Sequence, residues 1–159
     1  MAIYFGNNSV QSVSSKVIQV KRNLRTSQYI TTSGTMGSVL SLSITPESSS
    51  SVIHCVFSGV FYLESEPGGL RGRFYDDTDS NRFGTGLANE DPLLFRHDFQ
   101  NLSNGGAYAY CGGLWRAQES SWGTSSKTIT FQISQVNNGY VGFITEFLPA
   151  TFTITEVME

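Results

Sequence analysis

The chain has 159 residues, of which 14% are charged, 39% hydrophobic and 13% aromatic, and its formal net charge is -3 at pH 7. This length suits a single domain, the aromatic content excludes a disordered chain, and the scarcity of charge disfavours helical bundles, whose surfaces are rich in Lys and Glu. The acidic balance argues against nucleic acid or a membrane surface as the partner, because both attract basic proteins.

The N-terminus and the cysteines indicate where the chain is made. Residues 1–10 lack the basic patch and the long apolar core of a secretory signal, and no apolar run is long enough to span a bilayer. Cys55 and Cys111 are too few and too far apart for a disulfide framework or a CxxC metal knuckle. We therefore expect a chain made in a cytosol, with both thiols reduced and buried.

Alternation of apolar and polar residues predicts half-buried β-strands along most of the chain. In chain order these segments are residues 16–22, where Ile18 and Val20 form the apolar face, and residues 39–45, 93–99, 128–133 and 151–155. Asn138-Gly139, between residues 131–136 and 140–144, predicts a β-hairpin, because a type I′ turn needs positive φ at both central positions. Helical periodicity is absent. The sequence therefore predicts an all-β fold, an antiparallel two-sheet sandwich of about eight strands.

Residues 52–62 differ from the other segments because they are apolar on both faces. One face carries Ile53, Cys55, Phe57 and Phe61, and the other carries Val52, Val56, Val60 and Tyr62. A sandwich covers only one face of each sheet, so the second apolar face needs another cover. We expect a second copy of the chain to provide it, and a long loop of the same chain is the alternative.

Residues 1–25 have a different character, with few aromatic residues after Phe5 and a group of basic residues: Lys16, Lys21, Arg22 and Arg25. They are predicted to be an N-terminal strand or a docking arm. Residues 26–159 are predicted to form the sandwich domain.

The histidines and cysteines are the first candidates for a metal site. Adjacent side chains on a strand point to opposite faces, so His54 and Cys55 cannot ligate the same ion. His97 and Cys111 are isolated in the sequence, and we expect core packing rather than zinc binding at all four positions.

Residues 76–81 resemble half of a calcium loop through Asp77, Asp79 and Asn81. The glycine that such a loop needs is replaced by Arg82, and the closing glutamate falls on Ala88. The segment is therefore expected to be a solvated turn, and we expect no bound metal.

Glu64 and Glu66 are the candidates for hydrolytic catalysis. On one strand face they would lie about 7 Å apart, a spacing compatible with the carboxylates of a glycosidase. Two glutamates beside Pro67-Gly68-Gly69 are more typical of an exposed strand end, and no acid and base environment is recognisable around them. We therefore expect no catalytic residues, no enzymatic activity and no cofactor.

Aromatic residues near the middle of the chain are candidates for ligand or partner contact. They are Trp115 and Trp122, with Tyr108, Tyr110 and Arg116 nearby. Such side chains stack on sugar rings or on a partner surface, and the alternative is that they belong to the aromatic core.

Four short motifs spread over nearly the whole chain carry a resemblance to a known family. They are residues 4–13 (YFGNNSVQSV), 44–51 (ITPESSSS), 128–131 (TITF) and 153–159 (TITEVME). In these motifs the chain resembles the short tail-fibre, fibre-tip and capsid-decoration proteins of tailed phages, particularly phages of cyanobacteria and marine bacteria. The resemblance implies a compact jelly roll, similar to the C1q and tumour-necrosis-factor fold, that forms homotrimers and has no catalytic residues.

The resemblance also implies a virion component, assembled in the host cytoplasm, with other capsid or tail proteins as partners. Because the chain has no long fibrous shaft, a capsid cement or a tail-associated module is expected. The alternative is a fibre tip that binds a receptor or host-surface glycan through surface aromatics. The residues expected in the subunit interface or the core are Val56, Phe57, Val60, Phe61, Tyr62, Phe152 and Ile154.

Overall fold

A computed structural model describes residues 2–4, 10–12, 16–64, 68–84, 95–99, 108–120, 122–136, 140–143 and 149–158. The strands in these ranges are β1 (Ala2–Tyr4), β2 (Val10–Ser12), β3 (Lys16–Arg25), β4 (Tyr29–Thr31), β5 (Gly37–Ile44), β6 (Val52–Glu64), β7 (Gly68–Asp76), β8 (Asn81–Arg82), β9 (Phe95–Phe99), β10 (Tyr108–Ser120), β11 (Lys127–Val136), β12 (Tyr140–Phe143) and β13 (Ala150–Met158). No helix capable of crossing a membrane occurs among these residues.

The strands form two antiparallel sheets and a separate small hairpin. In the first sheet β3, β13, β6 and β10 lie side by side, and the short strands β12 and β4 extend the sheet from the far end of β6. In the second sheet β5, β11 and β7 lie side by side, and β8 and β9 both pair with β7. Strands β1 and β2 pair with each other.

The predicted sandwich of about eight strands is confirmed. Eight of the described strands have five or more residues: β3, β5, β6, β7, β9, β10, β11 and β13. When these are numbered in chain order, the first sheet reads 1-8-3-6 and the second reads 2-7-4-5. This is the strand order of a jelly roll, in which consecutive long strands alternate between two facing sheets except for the fourth and fifth, which are neighbours in the second sheet.

Phenylalanine rings from both sheets fill the space between them. Phe57 of β6 stacks on Phe131 of β11, with ring centroids 3.9 Å apart. Phe74 of β7 lies 5.2 Å from Phe131 and 5.5 Å from Phe152 of β13. All four side chains are fully buried. The two central strands of each sheet therefore supply the largest core side chains, and these contacts fix how the sheets face each other.

Strand β5 has the predicted orientation, whereas β3 has the opposite one. Leu40 and Ile44 of β5 are buried, and the serines between them are exposed. In β3, however, Val20 was predicted to lie on the buried face and is exposed, as are Val17 and Leu24. A register shift between β3 and β13 places Ile18 at the irregular position.

The orientation of β3 follows from its place beside the free edge of β5. Polar side chains on the inner side of β3 donate to backbone oxygens along this edge: Gln19 to Thr45 at 2.7 Å, Asn23 to Ser41 at 3.0 Å and Arg25 to Val39 at 2.9 Å. An unpaired sheet edge inside a closed sandwich would otherwise leave carbonyl groups unsatisfied. The inner positions of β3 are therefore polar, and its apolar residues face outward.

The predicted hairpin over residues 131–144 is wrong. β11 belongs to the second sheet and β12 to the first, so the two strands do not pair. β11 pairs with β5 on one edge and with β7 on the other, and consequently no edge is left for β12. The Asn138-Gly139 turn itself lies outside the described residues.

Residues 1–25 are divided between two structures. Residues 16–25 are strand β3, which pairs along its length with β13 and is a strand of the sandwich. Only the β1–β2 hairpin precedes this strand among the described residues, and it pairs with no other strand there. The sandwich therefore begins at about residue 16, and a docking arm would be limited to residues 1–15.

Candidate interaction surface

The outer face of the first sheet carries the second apolar row that the sequence predicted. Among the described side chains of these four strands, cross-strand register assigns to this face Val17, Val20, Arg22 and Leu24 of β3; Val52, His54, Val56, Ser58 and Val60 of β6; Arg116, Gln118 and Ser120 of β10; and Thr151, Thr153, Thr155 and Val157 of β13. Directly opposed residues of an antiparallel pair share a face. We call this set the outer face.

The outer face mixes aliphatic and polar side chains and is incompletely covered, although Val52 is buried. Val17 is 56% exposed, Val20 58% and Leu24 46%, and these are three of the five large apolar side chains that are exposed in the described part of the chain. Val56 and Val60 are partly exposed. Among the described side chains of this set, the permanent charges are those of Arg22 and Arg116. Such a surface is typical of an interaction site rather than of a solvent-facing sheet.

The residues predicted for the interface or core divide between the two sides of the sheet. Phe57, Phe61, Phe152 and Ile154 are fully buried in the chain's own core. Val56 and Val60 lie on the outer face and are partly exposed. The backbone of Tyr62 pairs with Tyr110 and Gly142, and its side chain is outside the described set.

The aromatic candidates for ligand contact do not form one described cluster. Trp122 is only 8% exposed and packs edge-on against Phe83, with ring centroids 5.0 Å apart. It therefore occupies a core position, as the alternative interpretation held. Arg116 is exposed on the outer face in register with Val56. The backbones of Tyr108, Tyr110 and Trp115 lie in β10, and their side chains are outside the described set.

His54 and Cys55, the adjacent candidates for metal ligands, lie on opposite faces of β6. His54 lies on the outer face, whereas Cys55 is fully buried between the sheets and is unpaired. Burial raises the pKa of the Cys55 thiol, and the charge of Glu119 raises it further, so the thiol stays protonated and unreactive. Among the described residues no three His, Cys, Asp or Glu side chains are grouped as metal ligands. Cys111 and His97 have described backbones only.

The acidic turn after β7 is held by hydrogen bonds and ion pairs with other residues of the chain. One oxygen of buried Asp76 accepts the N–H groups of Thr78 at 2.9 Å and Asp79 at 3.3 Å, and its other oxygen lies 3.4 Å from the ammonium group of Lys127. Lys127 also binds Asp79, and Asp77 accepts a hydrogen bond from Thr130. The ammonium group of Lys127 thus neutralises two of the carboxylates in this turn.

The pKa of Lys127 reflects this arrangement. Burial lowers it, but the hydrogen bond to Asp79 and the charges of Asp76 and Asp79 have a larger combined effect, and the net pKa is raised. Lys127 remains charged at neutral pH. It also lies 5.0 Å from the centroid of the Trp122 ring, where a cation is attracted by the π-electrons.

The sequence analysis missed a buried carboxylate, that of Glu156 in β13. One oxygen accepts the N–H groups of Glu47 at 2.9 Å and Ser48 at 3.2 Å and the hydroxyl of Ser51 at 2.6 Å. The other oxygen accepts the side-chain amide of Gln19 at 2.6 Å. Glu156 is 0% exposed and fixes the connection between β5 and β6 to the last strand. We call this the Glu156 anchor.

Among the described residues, hydrogen-bond donors and no cation contact the carboxylate of Glu156. Burial alone raises the pKa of Glu156, but the hydrogen bonds from Ser51, Gln19, Ser48 and Glu47 outweigh it, and the net pKa is lowered. The residue therefore stays ionised at neutral pH. A signal was present in the sequence, because Glu156 falls on the same alternating face as Phe152 and Ile154.

The glutamates considered for hydrolysis do not form a described pair. The backbone of Glu64 ends β6 in register with Tyr108 and Tyr140, and Glu66 lies outside the described residues.

No protein-family model matches the chain, and no curated protein matches it either. The outer face and the four sequence motifs are therefore the features that bear on function.

Proposed function

We propose that the protein is a non-catalytic structural component of a tailed-phage virion, a homotrimer that decorates or cements the capsid or forms part of the tail or fibre apparatus. The four sequence motifs support the phage assignment. The jelly-roll strand order agrees with the fold that this resemblance implies. Two of the motifs, residues 44–51 and 153–159, are joined by the Glu156 anchor.

The observation that carries the proposal is the group of exposed aliphatic side chains on the outer face. Three large side chains of β3 project there into solvent, beside the partly exposed valines of β6. Burying apolar surface stabilises an assembly by about 25 cal/mol per Å², and a standard interface buries roughly 800 Å² on each partner. Wherever the protein assembles, other copies of the same chain are present and can cover this surface.

The charge distribution favours a ring over a face-to-face dimer. The described side chains of the outer face include Arg22 and Arg116 and no carboxylate, whereas the whole chain has a net charge of -3. Two outer faces in contact would oppose arginine to arginine. A heterologous contact instead sets the outer face of one copy against a different and more acidic surface of the next, and such contacts can close into a ring, of which the trimer implied by the resemblance is one.

Native mass measurement at micromolar concentration tests the assembly. We expect a species with three times the 17.4 kDa mass of one chain. Val20→Asp places a charge in the outer face and should yield monomers that retain their β-sheet circular dichroism. Ser38→Asp, at an exposed position of β5, is the matched control and should remain trimeric. A stable wild-type monomer would contradict the proposal.

Incorporation into particles tests the virion role. Deleting residues 1–15 removes the hairpin before β3 and leaves every strand of the sandwich in place. If this segment is the docking arm, the truncated protein should form the same oligomer and fail to decorate particles. Undiminished incorporation of the truncated protein would reject the arm.

A further inference from the structure

Hydroxyl side chains point outward from both sheets, and the two sheets differ in how these hydroxyls are paired. On the second sheet, the hydroxyl of Ser41 lies 2.7 Å from that of Thr130, and the hydroxyl of Ser43 lies 2.8 Å from that of Thr128. Thr130 also donates to Asp77. The hydroxyl groups on the outer side of β5 and β11 are therefore satisfied by contacts within the chain.

The outer face of the first sheet carries a column of three threonines along β13: Thr151, Thr153 and Thr155. Their side chains alternate with the buried Phe152 and Ile154, and each is partly exposed. In the described part of the chain, none of the three hydroxyls makes a hydrogen bond. The outer face thus keeps hydrogen-bonding capacity that the outer side of the second sheet has already used.

Each threonine of this column lies beside an aliphatic side chain. The opposed pairs are Leu24–Thr151 and Val20–Thr155 between β3 and β13, and Thr153–Val56 between β13 and β6. A surface that excludes water from the aliphatic groups consequently excludes it from the hydroxyls between them. Because a buried hydroxyl without a partner is destabilising, the covering surface has to supply hydrogen-bonding groups of its own.

Three further polar side chains of the outer face lack partners. Arg22, Arg116 and Gln118 are exposed, and none of them makes a hydrogen bond or an ion pair in the described part of the chain. Arg22 is in register with Thr153, and Arg116 with Val56, so the two arginines end one row across the sheet. A guanidinium group only donates. The surface that covers this row therefore needs acceptor oxygens.

Charge is divided along the chain in a way that makes a second copy a suitable cover. Residues 1–46 contain four basic residues and no Asp or Glu, whereas residues 47–159 contain the other six basic residues and all 13 acidic ones. The first segment therefore carries +4 and the second -7, and all four basic residues of the first segment lie in β3. The acceptors that the outer face lacks are thus plentiful elsewhere on the same chain.

We propose that the threonine column of one copy hydrogen-bonds to an acceptor-rich surface of a second copy and sets the register of that contact. The inference rests on the assembly proposed above and names the chemistry of the covering surface, which presents carboxylate or carbonyl oxygens. The aliphatic side chains of Val20, Leu24 and Val56 supply buried area, and the hydroxyls between them supply direction.

Thr153→Val distinguishes this surface from the alternatives, because valine keeps the shape of threonine and suits a β-strand but lacks the hydroxyl. Sedimentation equilibrium of the full chain over a dilution series should show a dissociation constant raised about tenfold, the loss expected when one side of a buried hydrogen bond is removed. An unchanged constant would mean that the hydroxyl faces solvent, and a lowered constant that the cover is aliphatic. Either result overturns the proposal.

Thr128→Val is the matched control, since it makes the same substitution on the second sheet, where the hydroxyl is paired with Ser43. Its dissociation constant should equal that of the wild type, even if the thermal midpoint falls. An equal rise in both variants would also overturn the proposal, because the threonine column would then have no special part in the contact.

Arg22→Gln should raise the dissociation constant as well, and it should make the constant less sensitive to NaCl, because the arginine is expected to face acceptor oxygens of the neighbouring copy. An unchanged salt dependence would contradict an acceptor-rich cover. A wild-type monomer would contradict the assembly itself, whereas a wild-type oligomer that Thr153→Val leaves unchanged or strengthens overturns this inference alone.

Discussion

The inner and outer faces of the first sheet differ in side-chain size and in what covers them. On the inner side of β6, Phe57 and Phe61 are fully buried against the second sheet. On the outer side of the same strand, Val56 and Val60 are only partly exposed to solvent, and Val56 is opposed by Thr153 of β13. One strand therefore presents a packed aromatic surface and a flat β-branched surface.

This difference indicates two kinds of apolar burial. The aromatic side interlocks with rings of the facing sheet and stabilises the fold of one chain. The valine and threonine side has no interlocking partner within the described part of the chain, and its small side chains leave a surface on which another backbone can lie closely. The following variants test this comparison, beginning with the largest expected effect.

Phe57→Ala should lower the free energy of unfolding by about 3–5 kcal/mol, because it removes the ring stacked on Phe131 and leaves a cavity. Val56→Ala, one residue away on the outer side, should cost about 1 kcal/mol or less. Urea unfolding at one fixed protein concentration measures both. Equal losses from the two variants would contradict the distinction between the faces.

Glu156→Gln tests the Glu156 anchor, the buried carboxylate on the inner side of β13. At neutral pH it should lower the free energy of unfolding by about 1–3 kcal/mol, because hydrogen bonds to a charged acceptor are replaced by weaker ones and one amide donor faces other donors.

The effect should depend on pH in a defined direction. The pKa of Glu156 is lowered by folding, so its stabilising contribution is present above the ordinary pKa of a glutamate and is lost as the pH falls through the lower value of the folded state. The wild type should therefore lose stability in acid more steeply than Glu156→Gln. Parallel acid-unfolding curves for the two proteins would show that the anchor does not titrate in this way.

Arg25→Ala tests whether the inner side of β3 is stabilised by polar contacts. The arginine donates to Val39 and Ser27 and lies 5.0 Å from the centroid of the Tyr29 ring. Its removal should lower the free energy of unfolding by about 1–1.5 kcal/mol, as measured by urea unfolding. Arg22→Ala, on the outer side of the same strand, is the control and should change stability by less than about 0.5 kcal/mol.

Val20→Thr should have the smallest effect on the stability of the chain, within about 0.5 kcal/mol, because the side chain is exposed and keeps its shape. It should nevertheless increase dissociation of the oligomer, since a hydroxyl replaces a methyl in the proposed interface. Sedimentation equilibrium over a dilution series measures this. An unchanged dissociation constant would remove Val20 from the interface.

Much of the sandwich was predictable from local patterns. The alternation in residues 39–45 identified the buried residues of β5, and the two-sided apolar pattern of residues 52–62 identified β6 as the strand that needs two covers. Both are properties of an extended chain with a two-residue period. The aromatic candidate Trp122 was not assignable in this way, because the sequence does not reveal that Phe83 packs against it.

The errors share a physical cause. A strand pairs with a neighbour that has an unpaired edge, whatever the sequence of the turn between two strands favours. Asn138-Gly139 favours a tight turn, but the edges of β11 are already taken by β5 and β7. The amides of Gln19 and Asn23 look like solvent-facing groups, but the free edge of β5 supplies acceptors for them inside the sandwich. No local pattern contains this information.

The sequence by itself determined the all-β class, the approximate number of strands and the excess of apolar surface on β6, because these depend on residue type and spacing. Only the tertiary structure decided which strands pair, which way β3 faces, and that Glu156 joins the β5–β6 connection to the last strand. These outcomes depend on contacts between residues up to 137 positions apart. Such contacts form only when the two sheets close around their shared core.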